Sequence, residues 1–127
     1  MIQKGTFLNV VDNSGAKDVC CIQVLKGYRK RYAVVGDVII VSIKSLRLKR
    51  RLLSKMKKGD VSRALVIRTK VLQRSYTHES LNFLENGAVL LNRQNKLLGT
   101  RIFGAVPQKF RFNRFLRIIS LASGFVR

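Results

Sequence analysis

The strongest constraint on the fold is a series of short apolar segments rich in β-branched residues, each of which ends at a turn. FLNVV (7–11) is followed by the turn cluster DNSG (12–15), and DVIIVSI (37–43) is a continuous apolar run that predicts a buried strand. The other segments are VCCIQVL (19–25), VSRALVIRTKVL (61–72), NGAVLLN (86–92) and TRIFGAV (100–106). Short strands between Gly, Asn and Asp turns predict a mainly β protein, either a small β-barrel or a β-sandwich.

The C-terminal segment follows a different pattern and begins at Pro107, the only proline in the chain. Proline is tolerated in the first turn of a helix, so we predict one or two short helices there. The apolar residues that would face the rest of the fold are Phe110, Phe115, Ile118, Ile119 and Leu121, and the basic residues that would face a partner are Arg111, Arg114 and Arg117. We predict a single domain over residues 1–127, with barrel strands to about residue 106 and a helical tail from about residue 107.

The charge balance predicts a polyanionic partner. The 127 residues include 26 Lys and Arg against 6 Asp and Glu, which gives a net charge of +20. With 46% hydrophobic residues the chain can still build a core, so the excess charge must lie on its surface. A nucleic acid is the commonest partner of such a domain, while an anionic membrane and an acidic protein remain alternatives.

The first basic cluster, KGYRKRY (26–32), interleaves cations with two tyrosines. Cations that contact phosphates beside rings that stack on bases suit RNA. Alternatively, the segment is a hairpin tip whose tyrosines cap the core. We assign Tyr32 to this second interpretation, as a residue that caps the core, because it directly precedes a strand, and we leave both interpretations open for Tyr28. The cations of this cluster that we predict to bind RNA are Arg29, Lys30 and Arg31.

The second basic cluster, KSLRLKRRLLSKMKK (44–58), holds eight cations and no carboxylate. As a helix it would place its leucines largely on one side, which suits an anionic membrane or a docking groove. As an extended ribbon, SLRLKR alternates apolar and basic residues equally well. Because the cluster joins two predicted strands, we favour a projecting loop or ribbon that contacts RNA. Its cations are Lys44, Arg47, Lys49, Arg50, Arg51, Lys55, Lys57 and Lys58.

The sequence offers little that could support catalysis. His78 is the only histidine, so no histidine pair can form a relay or a metal site. Four of the six carboxylates (Asp12, Asp18, Asp37 and Asp60) lie at predicted turns or strand ends, and turn formation explains them. No phosphate-binding glycine loop or nucleophile motif is present. We predict that the protein is not an enzyme and uses no metal, cofactor or small-molecule substrate.

The cysteines and the hydropathy pattern argue against a disulfide, a zinc site and a membrane span. Cys20 and Cys21 are adjacent on a predicted strand and point to opposite faces, so they predict neither a mutual disulfide nor a zinc site. No apolar run approaches the roughly 20 residues of a membrane span, and we predict no membrane contact. The N-terminus lacks a hydrophobic signal core, and we expect no cleaved targeting segment.

Several motifs in one order resemble the ribosomal large-subunit protein fourteen family. They are DNSGA (12–16), KRYAVVGDVI (30–39), KKGDV (57–61), ALVIRTK (64–70), GTRIFG (99–104) and FLRIISLA (115–122). The resemblance implies a five-stranded β-barrel with a projecting β-ribbon and short C-terminal helices. It also implies a structural constituent of the large subunit that binds large-subunit rRNA. To the rRNA-binding cations of the two clusters we add Arg68, Lys70, Arg111 and Arg114.

The resemblance also implies protein and interface partners. Members of this family lie beside other large-subunit proteins at the subunit interface and help form a bridge to small-subunit rRNA. In bacteria and organelles they offer a docking surface to a factor that silences ribosomes. That surface corresponds here to Thr100, Arg101 and Arg117. The family commonly has lysine at the position of Arg117.

Departures from the family pattern lead us to expect an organellar member. The segment before KKGDV is more basic and slightly longer than is usual in the family, and YTHES (76–80) replaces an Asp-Gly turn. Ala105 stands where the family has proline, and QKF (108–110) replaces an acidic position. The ending SGFVR also lacks the usual Pro and Glu. We expect a mitochondrial ribosome, with a plastid or bacterial one as the alternative. A free nucleic-acid chaperone and a membrane-surface module are the competing function classes.

Overall fold

The structure is a computed structural model that describes residues 1–48, 56–74, 80–112 and 115–126, with only the backbone at position 112. Its strands are β1 (Phe7–Val10), β2 (Ala16–Val24), β3 (Val38–Leu46), β4 (Val61–Arg68), β5 (Gln73–Arg74), β6 (Ser80–Leu81), β7 (Gly87–Leu91), β8 (Ile102–Pro107) and β9 (Ala122–Val126). Five of them close into a barrel in the order β1–β2–β3–β4–β7. The β1–β7 pair is parallel and the other barrel pairs are antiparallel. The predicted mainly β fold with a five-stranded barrel is confirmed.

Alternating side chains of the strands fill the barrel. In β3 the side chains of Ile39, Val41 and Ile43 are fully buried, whereas the residues between them are partly exposed. The same two-residue period places Ala64 and Val66 of β4 in this core. Burying each large aliphatic side chain stabilises the fold by about 1.5–3 kcal/mol, so this alternation fixes which face of each strand points inward.

A second apolar core lies outside the barrel, against β4 and β7. Leu65 and Ile67, on the other face of β4, pack with Ile102 of β8 and with Phe110 and Ile118 of the C-terminal segment. The prediction that apolar residues of this segment face the barrel is therefore confirmed. Because β4 is covered on both faces, its sequence ALVI reads as a continuous apolar run rather than an alternating one.

The C-terminal segment contains short helices, as predicted, and also a strand that was not predicted. A 3-10 helix, Gln108–Phe112, follows β8, and helix α1, Arg117–Leu121, precedes β9. Strand β9 pairs in parallel with β8, and the Ser123 hydroxyl donates to the Gly104 carbonyl and accepts from its N–H. The residues ASGFV carry little strand signal because they include Ala and Gly, which are depleted in strands.

The end of β4 and the position of β8 differ from what the sequence pattern predicts. The predicted strand 61–72 ends earlier, at Arg68, because the Lys70 N–H bonds to the Asn86 side chain instead of continuing the ladder. Strand β8 lies outside the barrel, whose strands end at Leu91. Between β3 and β4, residues 49–55 lie outside the described part, as does the choice between ribbon and helix there. The division into one domain with a tail stays a prediction.

Candidate nucleic-acid interface

The carboxylates of the described residues are engaged within the chain. Asp12 and Asp37 are buried, and each accepts a backbone N–H together with a side-chain donor. Asp18 accepts from the Ser45 hydroxyl at 2.6 Å, and Asp60 accepts from a backbone N–H at 2.8 Å. These acids therefore stabilise local structure, and of the four only Asp37 forms ion pairs within the described residues, so they offset little of the cationic surface.

Ion pairs within the described ranges use three cations, Lys26, Lys30 and Arg68. Most of the remaining lysines and arginines there are exposed to solvent. A surface with so few internal counter-charges attracts an external polyanion. The structure gathers many of these cations at two places, which we call the groove and the loop base.

The groove lies between the N-terminal segment and the loop of residues 27–32, and its volume is about 740 Å³. Gln3 and Lys4 form one wall, the loop forms the other, and residues 22–24 form the floor. Backbone hydrogen bonds between Ile2 and Ala33 fix the two walls to each other. The predicted RNA-binding residues Arg29, Lys30 and Arg31 all line this groove.

A buried acid holds the loop in place. The Lys30 ammonium donates to the Asp37 carboxylate, and the Lys26 ammonium lies 3.6 Å from it. Burial by itself raises the pKa of Asp37, but the bonds from Lys30 and the Val34 N–H and the charges of both lysines lower that pKa below its ordinary value. Asp37 is therefore ionised at neutral pH, and Lys30 contributes to loop structure as well as to the positive groove.

The loop presents two aromatic rings to solvent, and one of them is almost fully exposed. Tyr28 is 89% exposed, and the Arg29 guanidinium lies 5.3 Å from its ring centroid. Arg29 has a φ of 53°, which is unusual for a residue other than glycine, and Gly27 has a φ of 94°. Tyr32, which we expected to cap the core, is also exposed, at 42%, and lines the groove. That assignment is corrected.

The loop base lies where the segment between β3 and β4 leaves and re-enters the barrel. Lys44, Lys57 and Lys58 are exposed there, and Gly59 turns the chain with a φ of 92°. Arg47 is half-buried: it donates to the Val10 carbonyl at 2.9 Å and lies 5.3 Å from the Phe103 ring centroid. Of the other predicted site residues, Lys49, Arg50, Arg51, Lys55 and Arg114 lie outside the described ranges.

Arg68 is placed differently from the prediction. Its guanidinium is buried, pairs with Glu85 at 2.5 Å, and donates to the carbonyls of Phe103 and Ala105. These bonds join the barrel to β8 and leave the side chain directed into the fold. We therefore leave Arg68 out of the proposed RNA-binding surface, because its donors are used inside the chain.

The remaining predicted cations lie apart from the groove and the loop base. Lys70 is exposed just after β4. Arg111 is exposed on the 3-10 helix, with its guanidinium 4.9 Å from the Phe125 ring centroid. Sequence reasoning missed Lys4, which reaches the groove only through the pairing of Ile2 with Ala33, and no local signal reveals that pairing.

The DNSG and GTR motifs meet in the fold. The Asn13 side chain accepts from the backbone N–H of Thr100 and Arg101, and donates to the Thr100 hydroxyl at 2.8 Å. A Cβ on Gly99 would lie 2.8 Å from the Asp12 side chain, so this close approach requires glycine. The contacts hold Thr100 and Arg101 at the surface beside β8. Arg117, the third predicted docking residue, is exposed at the start of α1, which contacts β8.

Other kinds of site find little support among the described residues. Cys20 and Cys21 are free thiols, and burial raises the pKa of the Cys21 thiol, with a further increase from Cys20. No cluster of three His, Cys, Asp or Glu side chains suited to a metal ion occurs in the described part of the chain. The helices found there are also too short or too polar to cross a membrane.

These features define a small β-barrel protein whose exposed lysines and arginines suit a polyanionic partner. A model of the family described as Ribosomal protein L14p/L23e matches residues 1–126. The chain belongs to this family, which consists of structural, non-enzymatic proteins of the large ribosomal subunit. The resemblance noted in the sequence is thereby confirmed, and the protein's place is on the ribosome.

Proposed function

We propose that the protein binds large-subunit rRNA through the groove and the loop base, and that Lys49, Arg50, Arg51 and Lys55, which lie outside the described residues, also bind rRNA. The observation that carries the proposal is that the described carboxylates are engaged within the chain while most cations are exposed. The phosphate backbone of rRNA supplies the missing counter-charge. Lys70, Arg111 and Arg114 are further cations of this proposed surface.

The test measures binding of the full chain to a large-subunit rRNA fragment over a range of salt concentrations. Replacing Lys57 and Lys58 together by alanine should reduce the slope of log affinity against log salt by about 1.4–1.8, since each phosphate contact contributes about 0.7–0.9. The matched control replaces Arg93 and Lys96, which are also exposed, at the turn after β7. Equal slopes for the two double variants would contradict the proposed loop base.

We also propose contacts with neighbouring large-subunit proteins and, across an intersubunit bridge, with small-subunit rRNA. Exposed apolar side chains such as Phe7, Val61 and Leu84 support this proposal, because covering each of them with a neighbouring protein would remove apolar surface from water. Sedimentation of a native lysate at low and moderately high salt tests this assembly. Persistent migration with large subunits and whole ribosomes is expected, whereas release at modest salt would indicate a loosely bound factor such as a nucleic-acid chaperone.

A silencing factor is the third proposed partner, docked at Thr100, Arg101 and Arg117. The proposal is supported by the Asn13 contacts that fix the Thr100 loop and by the exposure of both arginines. Charge reversal of Arg101 and Arg117 should abolish co-purification with such a factor. The same reversal at Lys109, an exposed cation on the 3-10 helix, should have little effect.

The proposed location is the matrix of mitochondria, on the mitochondrial ribosome. The departures toward basic residues and away from acidic ones support an organellar member, with a plastid or bacterial ribosome as the alternative. Fractionating the lysate by organelle before sedimentation distinguishes these locations. Recovery of the protein on plastid or bacterial ribosomes would contradict the mitochondrial assignment.

A further inference from the structure

We propose that the groove binds an unpaired segment of RNA, with one base stacked on Tyr28 and the neighbouring phosphates on Lys4, Arg29 and Arg31. This inference rests on the proposed function and specifies the kind of RNA that the groove takes. A duplex presents its backbone to a protein and keeps its bases stacked inside. An unpaired strand can offer a base and its phosphates to the same site.

The shape of the groove suits such a ligand. Its volume of about 740 Å³ lies in the range of pockets that enclose small organic ligands. The floor includes Ile22 and Val24, which are partly exposed and can contact a base or ribose. Both walls are fixed to the barrel, because Gly5 and Thr6 pair with Cys21 through backbone hydrogen bonds, and residues 2 and 33 pair with each other. The groove is therefore preformed.

The charge of the groove is uniformly positive. Its lining includes Lys4, Arg29, Lys30 and Arg31 and no carboxylate. Lys30 is engaged with Asp37, which lies behind the loop, so the other three cations remain directed to solvent. Three cations on opposite walls can contact successive phosphates of a strand that runs along the groove.

Tyr28 does not line the groove itself, but it lies in the chain between Gly27 and Arg29, which do, and its exposed ring supplies a stacking surface beside the groove. A tyrosine that is 89% exposed gains no burial from the fold, yet its neighbour Arg29 is held in a left-handed backbone conformation with its guanidinium over the ring. The next residue, Lys30, bonds to the buried Asp37, so the loop that carries Tyr28 is anchored at a neighbouring position. With the Arg29 guanidinium over the Tyr28 ring, a base stacked on the same ring would form a third layer in addition to the guanidinium and the ring.

The experiment compares binding of the full chain to a single-stranded oligoribonucleotide and to a hairpin duplex with the same number of phosphates. Replacing Tyr28 by alanine should weaken single-strand binding about five- to a hundred-fold, since each stacked base contributes about that much. Duplex binding and the salt slope should be unchanged, because the ring carries no charge. Tyr28→Phe keeps the ring and should retain wild-type affinity. Quenching of 2-aminopurine in the single strand should be lost in Tyr28→Ala and kept in Tyr28→Phe.

A second comparison tests the path of the strand. Lys4→Ala should weaken single-strand binding more than Lys96→Ala, an equal change of charge at an exposed site outside the groove. Equal effects of these two variants, or equal losses of single-strand and duplex binding in Tyr28→Ala, would overturn the inference while leaving the proposed function intact. Failure of the wild-type protein to bind either RNA would overturn both.

Discussion

Two ion pairs in this protein have opposite arrangements. In the Lys30–Asp37 pair the acid is buried, with 3% of its side chain exposed, and the lysine is partly exposed at 29%. In the Arg68–Glu85 pair the cation is the buried partner, with 9% of its side chain exposed, whereas 40% of the acid's side chain is exposed. The first pair anchors a loop and leaves positive charge at the groove. The second pair uses a cation to join the barrel to β8. Sequence alone gives the charges of these residues but not which partner is buried.

The largest stability effect is expected for Arg68→Ala. This change leaves the carbonyls of Phe103 and Ala105 without their donor, and it should lower the free energy of unfolding by about 3 kcal/mol, since an acceptor left unsatisfied costs about 1–3 kcal/mol. Urea unfolding of the full chain measures it. The control is Arg63→Ala, which removes an exposed cation from the same strand and should cost about 0.5 kcal/mol or less. Similar losses of unfolding free energy in Arg68→Ala and Arg63→Ala would contradict the conclusion that the buried cation stabilises the fold more than the exposed one.

Gly104→Ala tests the buried position of Arg68 from the opposite side, because Gly104 contacts the Arg68 guanidinium. A Cβ there would lie 2.6 Å from Arg68 Nη2, and the φ of Gly104 is 81°, which disfavours other residues. We expect a loss of about 2 kcal/mol, measured by the same unfolding experiment. Gly124→Ala is the matched control on β9, since no atom lies within 4 Å of its added Cβ. A Gly104→Ala variant as stable as Gly124→Ala would show that Arg68 can move at no cost.

The smallest of the three effects is expected for Asp37→Asn, and it depends on pH. At neutral pH the variant should be less stable by about 1.5 kcal/mol, because Lys30 loses its charged acceptor. The pKa of Asp37 is lowered from 3.8 on folding, so its ionised form stabilises the folded state. That contribution is fully present above 3.8 and is lost as the pH falls through the folded-state value.

Unfolding experiments at neutral pH and at a pH below the lowered pKa of Asp37 measure this dependence. The difference between wild type and Asp37→Asn should shrink at the lower pH. Asp18→Asn is the control, because Asp18 bonds to the Ser45 hydroxyl and contacts no lysine or arginine within the described ion pairs. A difference at Asp37 that stays constant with pH would indicate that its charge contributes nothing to stability.

Local patterns of sequence were sufficient to predict the barrel strands and the internal face of the C-terminal segment. The two-residue period of β3 and the burial of Phe110 and Ile118 follow directly from where apolar residues occur. Strand β9 was missed because its residues ASGFV include Ala and Gly, which are depleted in strands. The place of Lys4 in the groove and the burial of Arg68 were not predicted, because a cation has one sequence signature whether it faces solvent or a buried carbonyl.

The parallel pairing of β1 with β7 affects how the chain reaches this fold. The Asp12 carboxylate accepts from the Leu90 N–H across 78 residues, so the barrel cannot close until β7 has been synthesised. Contacts this distant in sequence slow folding, because a long loop must be ordered before they form. Until closure, both strands present unpaired backbone groups that other chains could join. The net charge of +20 opposes such association between copies, so the same cations proposed to bind RNA also protect the nascent chain from aggregation.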